Sequence, residues 1–144
     1  MGQVPDRGPG MTRAQWLRRA APSLRVMIRA HHPLERRLSI RVGIKGTGPD
    51  KRHVLGATEC PNGHATIELS PTIRSARLAL LVLLHEMVHA AVPRFMPGEH
   101  DALFRKVARK VGFVSPFRQI HAGPRLDAEL RALAKRLGPY PRGH

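Results

Sequence analysis

The chain holds one cysteine, Cys60, in 144 residues. A lone thiol excludes an internal disulfide and any zinc ribbon built on paired cysteines. Aromatic residues are also scarce, with one Trp, one Tyr and four Phe, which leaves few platforms for stacking nucleic-acid bases. No apolar run approaches the ~20 residues that a membrane helix requires, and the one from Leu78 to Leu84 is interrupted by His85 and Glu86. The N-terminal MGQVPDRGPGM lacks the apolar stretch of a signal peptide, and Asp6 breaks the myristoylation pattern. These absences lead us to expect an intracellular, cytoplasmic protein with no membrane partner.

Acidic residues are the other shortage. Ten Asp and Glu stand against 25 Lys and Arg, giving a formal charge of +15 and a pI near 11.7. Such a field draws polyanions whatever the fold beneath it, and arginine, the commoner cation here, fits phosphates with its planar fork. Non-specific DNA binding is therefore expected, driven by charge and not by base readout. The bland alternative is a solvated basic surface that reflects composition alone.

What the chain does have is concentrated in LALLVLLHEMVHAA, Leu78 to Ala91. Residues four apart share a helical face, so His85 and His89 can offer two imidazoles to one ion. Glu86 can then address a water on that ion, the division of labour of H-E-x-x-H zinc peptidases, in which the glutamate is general base. Five residues can match by chance, so context decides. Ser70 suits an N-cap and Pro71 suits N1, and Pro93 is a stop, which predicts one helix between them. Its apolar flanks make it a buried helix, where unpaired polar groups are costly and a metal is a natural partner.

Around this helix the remaining elements can be read in order. Residues 1–10 are rich in Gly and Pro and are expected to be a flexible arm. Thr12 caps a helix through Trp16 and Leu17, and Pro22-Ser23 restarts one through Leu24, Met27 and Ile28. His31 and His32 precede Pro33 and read as exposed loop residues. Leu38, Ile40, Val42 and Ile44 alternate with polar residues, the pattern of a half-buried strand. His53–Cys60 and His64–Leu69, joined by Pro61-Asn62-Gly63, read as a hairpin, with Val54, Ile67 and Leu69 inward and Gly56 marking a bulge or close approach. A second metal site at His53, Cys60 and His64 matches no ligand spacing.

Past Pro93, His100 opens a helix whose Phe104, Val107 and Val111 fall on the same face as that histidine. Arg105, Lys106, Arg109 and Lys110 lie opposite, as a solvated basic face or a nucleic-acid footprint. Gly112 stops this helix. A last one, striped by Leu126, Leu130, Leu133 and Leu137, ends at Gly138. Residues 11–138 thus form one domain, and 139–144 read as a flexible tail.

A catalytic zinc needs three protein ligands and an open position. His100 is the leading third ligand, with Glu99 and His121 as alternatives. Phe95 stands where the metzincin pattern needs its last histidine.

The run from Leu55 to Phe113 resembles the core of SprT-like metallopeptidases, the Spartan-related family. The likeness lies in Leu55-Gly56 before the hairpin, Ile67-Glu68-Leu69-Ser70 before the helix, the HEMVHA run, and a histidine four positions ahead of Phe104. The resemblance implies a zincin-like domain in which His85, His89 and His100 bind Zn²⁺ and Glu86 activates water. Asp101 stands where the family usually has glycine, and the C-terminal zinc ribbon of many members has no counterpart here.

Taken together, the expectation is a compact α+β domain with a small antiparallel sheet against a buried H-E-x-x-H helix and flanking helices. It would hydrolyse peptide bonds in proteins, DNA-associated ones among them. The rival is a basic nucleic-acid-binding module with a structural zinc closed by a fourth ligand such as His121 or Cys60.

Overall fold

A helix that is apolar on every side has no solvent face to offer, and the other described elements are folded around one. In the computed structural model, which describes residues 10–43, 54–61, 63–92, 102–115 and 120–143, the order is α1 (Arg13–Arg29), β1 (Arg37–Val42), β2 (Gly56–Glu59), β3 (His64–Leu69), α2 (Ala76–Ala91), α3 (Ala102–Val111) and α4 (Pro124–Leu137). The architecture is α+β. Helix α2 packs against α1, α3, α4, β2 and β3, and every residue from Ala79 to Val92 is buried. Each fully buried Leu or Val here contributes about 1.5–3 kcal/mol relative to exposure. No helix among the described residues is long and apolar enough to cross a membrane.

Helix α2 begins at Ala76, later than Pro71, because Ser75 is the N-cap and its hydroxyl accepts the Leu78 amide at 3.1 Å. Ser70 instead organises a turn. Its hydroxyl accepts from the Thr72 amide at 3.2 Å and its carbonyl from the Ile73 amide at 3.3 Å, which buries Ile73 beneath the helix start. At the other end, the Ala90 carbonyl accepts from Arg36 Nε at 2.9 Å. That side chain satisfies one of the carbonyls left over in a last helical turn and puts positive charge at the negative pole.

Helix α1 is continuous, where two helices were expected. Pro22 lies inside it, removing one main-chain hydrogen bond. The buried stripe of Trp16, Leu17, Ala20, Leu24 and Ile28 runs unbroken past the proline and outweighs that loss. Thr12 and Gln15 form a reciprocal capping box at its start.

The sheet is mixed rather than antiparallel. Its order is β1-β3-β2; β2 and β3 form the expected antiparallel hairpin, but β1 lies parallel to β3, with Ile40 opposite Ile67. Alternation tells which side chains face the core, and Ile40, Ala65, Ile67 and Leu69 do. It is silent on which strand lies next door and in which direction. Ile44 and His53 fall outside the described residues.

Helices α3 and α4 bury the stripes read from the sequence, namely Phe104, Val107 and Val111, then Leu126, Leu130 and Leu133. The segment expected as a tail carries Tyr140, which is 5% exposed and meets the Trp16 ring edge-on at 5.0 Å. Buried Arg13 fastens it further, donating from Nε to the Pro141 carbonyl at 2.7 Å and from Nη1 to the Pro71 carbonyl at 2.8 Å. Burial raises the Tyr140 pKa above its usual value, and the nearby Arg13 charge partly opposes the shift.

A candidate metal centre on the buried helix

His85, Glu86 and His89 lie on the last turns of α2, and each is nearly closed to solvent at 7%, 4% and 5% exposure. One donor atom from each can be chosen so that all lie within 4.8 Å of one another. Zinc holds nitrogen ligands at about 2.0–2.1 Å, so donors this close are near the spread that a single ion spans. The donor chemistry, imidazole beside carboxylate in a site nearly closed to solvent, suits a divalent transition metal. Among the described residues this is the group of His, Cys, Asp and Glu able to hold one.

The two imidazoles sit nearly perpendicular, with centroids 4.8 Å apart and planes at 83°. Phe104 of α3 lies flat on His89 at 4.1 Å and 20°, and meets the His85 ring edge-on at 5.5 Å. Phe113 adds a second edge contact to His85 at 5.7 Å. Gly112 makes that possible. It ends α3 with a positive φ of 128°, and a Cβ on it would stand 2.7 Å from Leu126 Cβ. Only glycine lets the chain turn there while Phe113 pairs with Ala122 in an isolated bridge.

Glu86 is gripped from the sheet. Thr58 Oγ1, on β2, lies 2.8 Å from Glu86 Oε1 and 3.1 Å from the Glu86 carbonyl. The other carboxylate oxygen, Oε2, is 3.3 Å from His85 Nδ1. The close approach expected at Gly56 is found here. A Cβ at that position would fall 2.8 Å from Val82 Cγ1, 2.9 Å from Glu86 Cγ and 3.0 Å from Glu86 Oε2.

Of the residues singled out in the sequence, His85, Glu86 and His89 are thus brought together. His100 and Glu99 lie outside the described residues. His121 is exposed on the segment whose carbonyl accepts the Val114 amide, and Cys60 is half-buried against the core. Neither belongs to the group around His85. His64, half-buried on β3, is 2.7 Å from Ser39 Oγ through its Nε2. Arg105, Lys106, Arg109 and Lys110 are all exposed on α3, on the side away from Phe104, Val107 and Val111. Thr58, Phe104 and Phe113 gain their roles only in three dimensions. Phe104 was legible as an inward residue, but a threonine on a short strand gives no signal of its partner. The chain matches no family model, no curated protein and no solved structure.

Proposed function

We propose that the chain is a zinc-dependent metallopeptidase of SprT-like kind that hydrolyses peptide bonds. One observation carries this reading: two histidines and a glutamate at H-E-x-x-H spacing are gathered on a buried helix, with the glutamate held separately by a neighbouring strand. His85 and His89 would hold the ion, and His100 is our third ligand. When bound, the zinc would acidify a water and polarise the scissile carbonyl. Glu86 Oε2 takes the proton of the attacking water and delivers it to the leaving amine. Strand β2 is an edge of the sheet and touches Glu86 through Thr58, so an extended substrate pairing with that edge would lie along the site. The charge of +15 and the exposed basic face of α3 favour proteins bound to DNA as the substrate class.

Elemental analysis and hydrolysis of a DNA-associated protein test the reading together. The purified protein is expected to carry about one zinc per chain, and His85→Ala or His89→Ala to lose it. Glu86→Gln should keep zinc while hydrolysis falls at least about a hundredfold. Equal cleavage by wild type and Glu86→Gln refutes the mechanism. Full zinc in His100→Ala would move the third ligand to Glu99 or His121. Zinc held without cleavage, over a broad protein panel, would favour a basic binding module with a structural ion.

A further inference from the structure

A general base works only if one of its oxygens is held in a fixed direction, and a glutamate has three rotatable bonds with which to lose it. We propose that Thr58, seated by Gly56, is the positioning residue that assigns the two oxygens of Glu86 to different tasks. The proposal deepens the peptidase reading and takes its chemical meaning from it, while its geometry stands on the strand and helix alone.

Glu86 is 4% exposed, so bulk solvent reaches its carboxylate little, and a buried carboxylate needs donors. Thr58 is one. A hydroxyl carries a single hydrogen, and its separation from Oε1 (2.8 Å) is shorter than that from the Glu86 carbonyl (3.1 Å). The main bond therefore goes to the side chain and is charge-assisted. With Oε1 engaged, Oε2 is the oxygen on the histidine side, 3.3 Å from His85 Nδ1.

Strand geometry makes the arrangement rigid. Gly56 pairs with Leu69 and Thr58 with Ile67, so both project to the face of the sheet that covers α2. Threonine is branched at Cβ and stiff about χ1, which fixes the hydroxyl direction once the strand is fixed. Gly56 sets the height of that strand. Any side chain there would collide with Val82 and with Glu86 itself, at 2.8 Å and 2.9 Å. It would lift β2 or push the carboxylate aside.

The test uses the full chain loaded with zinc, or with cobalt as a visible probe, in wild type, Thr58→Val, Thr58→Ser and Gly56→Ala. Thr58→Val is expected to keep one metal per chain, with affinity by chelator competition within about twofold of wild type. Its cobalt absorption bands should shift, because a released Glu86 carboxylate turns toward the metal site. Its peptide hydrolysis should lose about tenfold or more in kcat with KM unchanged. Thr58→Ser should restore both the spectrum and most of kcat. Gly56→Ala, with the hydroxyl still present, should shift the bands as Thr58→Val does, which keeps the test open should the valine variant not fold. Wild-type bands in both Thr58→Val and Gly56→Ala would overturn the proposal, as would a serine variant no better than valine. If wild type hydrolyses no peptide, the peptidase reading falls and the spectra alone still decide whether Thr58 positions Glu86.

Discussion

Phe104 is the side chain whose removal separates the candidate metal centre from the core it is built into. It is fully buried, it stacks on His89 at 4.1 Å, and it touches the edge of His85. Truncating a buried phenylalanine to alanine costs about 3–5 kcal/mol, and in a domain of this length each kcal/mol lowers Tm by about 3 °C. The metal-free Phe104→Ala protein is therefore expected to melt about 9–15 °C below wild type. Phe104→Leu keeps most of the volume and loses the flat ring, so it should cost less than about 1.5 kcal/mol. The two variants differ in packing and agree in lacking the surface that holds the His89 imidazole. An aromatic contact of this kind contributes about 0.5–1.5 kcal/mol beyond its area, which converts to about two- to twelvefold in zinc affinity if the ring orients the ligand. Thermal melts of the metal-free forms and chelator competition of the loaded forms measure the two quantities independently. Zinc affinity equal to wild type in Phe104→Leu would show that the ring only fills space and does not orient the histidines.

Three further outcomes are expected. Asp127 accepts hydrogen bonds from Arg131 and Arg77, which, in that order, hold its pKa below the ordinary 3.8; the stability it adds is complete above 3.8 and lost as pH falls through the lower native value. Acid unfolding followed by circular dichroism should thus be less steep in that range for Asp127→Asn, and an unchanged acid limb would refute the linkage. Pro22→Ala restores an amide inside α1 and should raise stability by about 1–3 kcal/mol in a urea titration; a loss would mean that the ring of Pro22 packs better than its exposure suggests. Reversing Arg109 and Lys110 to Glu should flatten the slope of log affinity against log salt by about two units on duplex DNA, with zinc content unchanged; no binding by wild type at low salt would reduce the positive charge to surface composition.

Much of this was readable from residue order, for reasons that differ by element. The leucine stripe of α4 and its stop at Gly138 follow from period and cap alone, and the hairpin from its turn residues. The start of α2 was misplaced because Ser70-Pro71 and Ser75 carry comparable local signals. Only the tertiary demand to bury Ile73 under the helix separates them. The two-helix reading of α1 gave Pro22 its intrinsic weight and missed that a continuous buried stripe can outweigh it. The polarity of β1 could not be seen at all, since Ile40 faces the core whichever way its neighbour runs. At the site, H-E-x-x-H named the helix partners, and Gly56 announced a close approach without saying to what. Thr58 was invisible because a hydrogen bond between a strand and a helix 28 residues away leaves no local trace.

Helix α2 is wrapped by five other elements and exposes no residue from Ala79 to Val92. Its amides can therefore exchange with solvent only when the whole core opens, and they belong to the last unit to yield as the protein loosens. The two histidines and the glutamate inherit that slowness. Surface elements can open and close many times while the backbone positions of His85, Glu86 and His89 on α2 stay fixed, so an ion reaching the candidate site would meet histidines already in place.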